Sequence, residues 1–394
     1  MQNTRGSRPA PRLVAVAAFA LLAANAAHAV DWTGYMRGGP AATTVSGESR
    51  QCYGLNSPGL KYRLGNECDF YGEFQLAQAM KADGVDFNAV LMTNFYSPQS
   101  ETNHDYGIEQ AYVEMKGVDI APSALFWMGK RRDRDDVHIV DTFFTNMSGV
   151  GAGVENIDAG FGKFGFAGYK TDTNGGANGI ARLHAQLYDI AANPDGKLRF
   201  VATFSKADSQ GGQKGKDGFG LTAEHVQDKF FGGGNHIWVQ YAQGSTNINQ
   251  GFGNALADTG TKTWRIVESP SWQIGAFGGQ AIALYQHDEA DGGVKWNSYT
   301  LGGRGSFGIT KNLKFLTEIG FSGRKPNNGE QQNLTKVTIG PALSTGPDFW
   351  KRPELRLYVT YADFNKAAAQ DAQNGLPANK TNAVSYGAQL EIWF

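Results

Sequence analysis

Apolar and polar residues alternate along most of this chain, most clearly in its last eleven residues, Val384 to Phe394 (VSYGAQLEIWF). In an extended strand Val384, Tyr386, Ala388, Leu390, Ile392 and Phe394 share one face, and Ser385, Gly387, Gln389, Glu391 and Trp393 share the other. One side suits lipid and the other water, over about the length that crosses a bilayer at a tilt. The pattern, ending on an aromatic residue, is typical of the closing strand of an outer-membrane β-barrel. It leaves Trp393 on the watery side among polar neighbours, a hint about cargo as well as fold.

The alternation recurs. In Trp32 to Arg37, Thr33, Tyr35 and Arg37 share a face. In Asp69 to Leu76, Tyr71, Glu73 and Gln75 lie opposite Phe70, Phe74 and Leu76. Further strands are expected over 87–96, 109–115, 161–169, 181–188, 199–204, 218–227, 236–242, 273–285, 298–307, 313–321, 336–343 and 354–361. Segments rich in Gly, Asn and Asp at 171–178, 206–217, 243–262, 286–294, 323–333 and 364–382 read as turns and exposed loops. No helix-period stretch or shift in composition marks a second domain. Residues 30–394 therefore read as one all-β domain, a transmembrane antiparallel β-barrel. At roughly 20 residues per strand and loop, its length allows about 16–18 strands. A barrel of that size leaves a channel unless it is plugged.

The N-terminus changes the compartment. Arg5, Arg8 and Arg12 precede an apolar run, Leu13 to Ala24, and then Ala27-His28-Ala29. This is the build of a signal peptide over 1–29, cleaved after Ala29. The run is too short for a transmembrane anchor. A mean hydropathy of −0.38 with 12% aromatics and 52 glycines suits a barrel, and also a soluble secreted β protein. The net charge of −1 gives no reason to expect a nucleic acid partner. In an exported chain the two cysteines, Cys52 and Cys68, read as a disulfide, worth about 3 kcal/mol for a loop of roughly 15 residues. Two cysteines are too few for a metal centre.

One segment does not read as a strand: Lys130 to Asn146 (KRRDRDDVHIVDTFFTN). Its charge density would be costly against lipid but tolerable in a loop folded into the lumen. There, arginine forks and carboxylates would suit the hydroxyls of a sugar, whereas a ring of one sign would favour ions. A solvated external loop with mixed charges fits the same residues. Asp133, Asp135 and Asp136 lack the rest of a calcium-loop pattern. Gly149 to Gly153 has no strand-turn-helix context for a nucleotide, His225 reads as a structural lumen residue, and no G-x-S-x-G or H-E-x-x-H motif is present. No enzyme, cofactor or metal is expected.

Several segments together resemble the maltoporin family of sugar-specific porins: VDWTGYMR at 30–37, KYRLGNEC at 61–68 with Tyr71 and Glu73, GKR at 129–131, RDDVHIVD at 134–141, SGVGAGVENIDAGFGK at 148–163, LTAEHVQ at 221–227 and LEIWF at 390–394. The resemblance implies an eighteen-stranded barrel, a homotrimer in the bacterial outer membrane, an inward-folded third loop, and a disulfide in the first loop. It also implies passive diffusion of maltose and maltodextrins along an aromatic path flanked by charged residues. On that path fall Tyr35, Tyr71, Trp393 and Phe143, the last in place of a tyrosine. Trp296 is a further member, with Tyr299 competing for its position. The polar track carries over to Arg37, Arg63, Glu73, Arg134, Asp136 and Asp141. An arginine of the track falls at Glu109, a mid-path phenylalanine at Leu221 with Phe219 on the same face, and the second-loop tryptophan has no counterpart between Ser97 and Ile108. Tyr106 or His104 are candidates for its place. The alternatives are a general diffusion porin, a porin for another sugar such as sucrose, and an outer-membrane barrel enzyme.

Overall fold

The computed structural model describes residues 30–394 apart from 56–60, 98–104, 141, 172–178, 209–214, 259, 372–373, 375 and 377–379. The expected signal peptide and His104 lie outside the described residues. The alternating segments form antiparallel strands, most of them long, each hydrogen-bonded to the next strand of the wall. They are β1 (Asp31–Gly38), β2 (Ala41–Thr43), β3 (Phe70–Ala82), β4 (Val85–Ser97), β5 (Asp105–Lys116) and β6 (Leu125–Arg131). A small separate hairpin follows, β7 (Arg134–Asp136) and β8 (Phe143–Asn146). The wall resumes with β9 (Gly149–Asp158), β10 (Lys163–Lys170), β11 (Ile180–Asn193), β12 (Gly196–Ala207), β13 (Gly218–Phe230), β14 (Gly233–Gln243) and β15 (Lys262–Ile274). It ends with β16 (Phe277–Glu289), β17 (Lys295–Gly308), β18 (Leu313–Pro326), β19 (Gln332–Ser344), β20 (Glu354–Phe364) and β21 (Asn382–Trp393). β1 and β2 lie in line against β21, so the 19-stranded sheet makes eighteen staves, and the Tyr35–Trp393 register of β1 on β21 closes it. Closure leaves no sheet edge unpaired in lipid.

Three long wall strands, β6, β9 and β15, escaped the sequence reading, as did the short β2, β7 and β8. β9 (GVGAGVENID) is too glycine-rich to show alternation. Segment 273–285, read as one strand, is broken by a turn at Gly275, which adopts a φ of 56° that glycine tolerates. One short helix, α1 (Lys366–Gln370), sits in the loop expected over 364–382, with Asn365 accepting from the Ala368 amide as its cap.

The connections at one end are short, among them 83–84, 194–195, 231–232 and 275–276, while those at the other include 44–69, 132–148, 244–261 and 365–381. In outer-membrane barrels the short turns face the periplasm and the long loops the exterior. The outward face carries exposed Phe200, Leu221, Val239 and Ile266. Leu221 and Phe219 are thus on the lipid side of β13, where Thr222 and Glu224 point inward. His225 also shares the outward face, correcting its reading as a lumen residue; its Nε2 meets Asn193 Oδ1 at 2.9 Å near the short-turn end. The LTAEHVQ motif carries one inward and one outward set, and the resemblance placed Leu221 on the wrong one.

Three segments fold into the lumen. Loop 44–69 is braced by the Cys52–Cys68 bond. Its Tyr62 lies flat on the wall, where Gly302 and Gly320 face each other across β17 and β18; a Cβ at Gly320 would fall 2.1 Å from the ring. Loop 132–148 crosses the pore carrying β7 and β8. It pairs with loop 44–69 through the Tyr62–Val140 bridge. The turn 345–353 reaches in from the other end, its Phe349 amide donating to Gln273 Oε1 at 3.0 Å. Tyr62, Ile139, Phe144, Phe349 and the wall residues Trp238 and Ile282 form one buried cluster. Each such side chain contributes about 1.5–3 kcal/mol by burial. Phe144 stacks on Trp238 at 5.4 Å, and its carbonyl accepts from Gln240 at 2.8 Å and Arg265 at 2.9 Å. The expected inward-folded loop is therefore present, although Lys130 and Arg131 at its start belong to the wall strand β6.

Candidate functional site: a lumen cleft beside the inward loop

On the opposite side of loop 132–148 the lumen is open. A cleft of about 450 Å³ runs between that loop and the wall formed by β1, β3 and the end of β21. Tyr35, Tyr71, Trp393 and Phe143 line it, as do Arg37, Arg63, Glu73, Arg134 and Asp136. Nine of the residues expected from sequence thus meet in one space, brought from β1, loop 44–69, β3, β7, β8 and β21. Asp141 lies outside the described residues.

The reason is register. Tyr35 faces Glu73 across β1 and β3, and Trp393 across β1 and β21, so period two puts these side chains on one inward patch. The Tyr35 and Tyr71 ring centres are 6.4 Å apart. Each platform is held by a charge. Arg37 stacks over Tyr71 at 5.3 Å, Arg134 over Phe143 at 4.2 Å and Arg352 over Trp393 at 4.1 Å.

The polar track divides into braces and exposed groups. Arg37 grips Asp69 with two bonds of 3.1 and 2.6 Å. Arg63 bonds Glu67 and donates to Tyr35 Oη at 2.6 Å, which donates on to Glu391 at 3.1 Å. These two guanidiniums hold the aromatic rings in place. Glu73 accepts from Tyr71 and Arg132, the latter at 2.8 Å. Beyond its stacking on Phe143, Arg134 makes a long 3.4 Å contact to Glu73, and Asp136 is exposed, so these two carry bonding capacity toward the cleft. Glu109 joins the same wall through Asn94 Nδ2 at 2.5 Å.

Trp350 was missed. It sits in turn 345–353, 42% exposed, with its ring 6.4 Å from Trp393 and 5.4 Å from His138, and it extends the file of rings toward the short-turn end. The available signal was Phe349-Trp350, two large aromatics in a connection that should be polar. Trp296 does face inward, and its competitor Tyr299 faces out against Phe321. Trp296, however, lies in a separate cleft, described below.

His138 closes the floor of the site. Arg352 Nη2 lies 3.1 Å from its Nε2 and Glu391 Oε2 lies 3.5 Å away. One ring nitrogen cannot accept from the first and donate to the second. Burial, aided by Arg352 and Arg304, outweighs Glu391 and pushes the imidazole down to about 4, so the neutral ring accepts from Arg352. Among the described residues no group of His, Cys, Asp and Glu has the arrangement of a metal site.

Comparison with solved structures shows the barrel alone. A Pseudomonas aeruginosa channel, OpdK, solved with vanillate, matches with a TM-score of 0.51 at 7% identity, over 92% of this chain and 98% of that one. An anion-selective porin from Comamonas acidovorans matches with a TM-score of 0.48 at 14% identity, over 92% and 99%. The sequence profile described as LamB porin matches residues 30–394, the whole of the barrel with its inward loop and cleft. The chain belongs to the LamB porin family, and it is a porin of the bacterial outer membrane.

Proposed function

We propose that this porin passes linear oligosaccharides of the maltodextrin type by facilitated diffusion, as a homotrimer. The observation that carries the reading is the file Phe143, Tyr71, Tyr35 and Trp393 along one cleft, with Arg134, Asp136 and Glu73 beside it. Sugar rings have apolar faces that lie on aromatic rings and hydroxyl edges that hydrogen-bond to charged groups. Repeated, similar contacts let a chain slide without a deep trap. An ion-selective pore has no use for such a file. The aromatic rings here are also buttressed, which fits a track that must hold its shape while cargo moves over it. Residues 1–29 direct export and are removed after Ala29, so N-terminal sequencing of the mature protein should begin at Val30.

The test is single-channel conductance in a planar bilayer, titrated with maltohexaose and with sucrose. Saturable block by maltohexaose is the expected result, weakened several-fold by Arg134→Ala. Stronger block by sucrose would move the substrate to a short sugar. Open channels that no sugar blocks would return the protein to a general diffusion porin.

A further inference from the structure

A second cleft, of about 500 Å³, lies at the loop end of the lumen between loop 244–261 and strands β15 to β17. Its lining is unlike that of the constriction. Asn247, Asn254, Thr263, Gln286 and Asp288 supply amides, a hydroxyl and one carboxylate, and Trp296 supplies a large ring. Arg324 stacks on that indole at 5.0 Å from its centre. Thr263 donates to Asp288 at 2.9 Å, and Gln286 Nε2 donates to the same carboxylate at 2.9 Å. That bond fixes the Gln286 amide and leaves its buried Oε1 without a partner among the described residues. A buried acceptor of this kind is costly unless a donor meets it. Thr142 and Phe143 line both this cleft and the constriction, so the two spaces adjoin at the inward loop.

We propose that this vestibule cleft is a distinct oligosaccharide-binding subsite that loads chains from the exterior and hands them to the constriction at Phe143. Neutral donors and acceptors around one aromatic platform suit a hydroxyl-rich, uncharged ligand, and Gln286 Oε1 accepts one of its hydroxyls. Among the described residues the cleft holds no cluster of one charge to attract ions. Trp296 belongs to this subsite and not to the file of rings in the constriction. The inference rests on the sugar-channel reading, and the two fail differently.

The experiment measures block kinetics of the reconstituted full-length porin, with channels inserted from one side and maltohexaose added to either side in turn. A loading subsite at the loop end changes the rates across that mouth only. Trp296→Ala should slow association from the loop side about five-fold while leaving association from the turn side within about two-fold. By detailed balance, exit to the loop side slows by the same factor, and equilibrium block hardly moves. Gln286→Leu should show the same one-sided slowing, and Trp296→Phe should recover part of the rate. Tyr299→Ala, on the same strand but facing out, should change nothing; unaltered ionic conductance shows that each variant is folded. Equal effects from both sides, or none, would overturn the subsite. A wild-type channel that maltohexaose never blocks would overturn the sugar-channel reading itself, and this inference with it.

Discussion

The two sides of loop 132–148 face the same barrel interior and end differently. Toward β14, β15 and β16 the lumen is filled: Phe144, Ile139 and Phe349 pack on Trp238, Val267 and Ile282, each at most 1% exposed. Toward β1, β3 and β21 it is open, and the rings of Tyr35, Tyr71 and Trp393 stand against charged neighbours instead of each other's cores. The filled side is closed by dispersion and water exclusion. The open side stays open because Arg37, Arg63, Glu73 and Glu391 remain hydrated or paired, and apolar collapse across them would strand charges. A pore of defined width needs both: one side to anchor the loop, the other to refuse it.

The comparison breaks most severely on the filled side. Phe144→Ala removes a ring that is wholly buried. It should cost about 3–5 kcal/mol and release the loop, read as a lower urea midpoint for unfolding in detergent and a larger single-channel conductance. Glu318→Gln should come close to that. Its carboxylate is fully buried between Arg304 at 2.7 Å and Lys336 at 2.9 Å, and it accepts the Leu64 amide at 2.9 Å. Leaving two buried cations with a neutral partner should cost about 3–5 kcal/mol, again seen in the urea midpoint.

Where the two sides meet, pH sharpens the contrast. His138 is held neutral down to about 4 in the folded porin, below its unfolded value of about 6.5. Its contribution is therefore intact above pH 6.5. It is lost progressively as pH falls toward 4, because the unfolded chain takes up a proton that the folded one refuses. Unfolding midpoints across this window should fall less steeply in His138→Gln. The open side should tolerate change best. Tyr71→Ala is expected to leave the urea midpoint nearly unmoved and to weaken maltohexaose block about five-fold, or about 1 kcal/mol. A large stability loss there would mean that the cleft is a core after all.

Much of the filled side was also written in the chain. Ala281 to Tyr285 (AIALY) is apolar on both faces of β16, which is what a strand between lipid and a packed lumen requires. Strict alternation in β1, β3 and β21 marked the open side equally well. Trp350 was not legible, because nothing local tells that a short turn will fold inward. Nor was the outward orientation of Leu221, because an aligned motif says which residues recur and not which face they take.

By itself the sequence determined the closed antiparallel barrel, its lumen face and the aromatic and charged residues upon it, because a period of two and the cost of unpaired backbone in lipid leave little else. Only the tertiary structure decided which inward residues see water. That depends on where loop 132–148 and turn 345–353 come to rest, and on contacts such as Phe144 with Trp238 that join residues nearly a hundred positions apart. It also separated Arg37 and Arg63, which hold the rings, from Arg134 and Asp136, which face the cleft. That separation follows from which carboxylates the fold brings within reach, and no spacing along the chain encodes it.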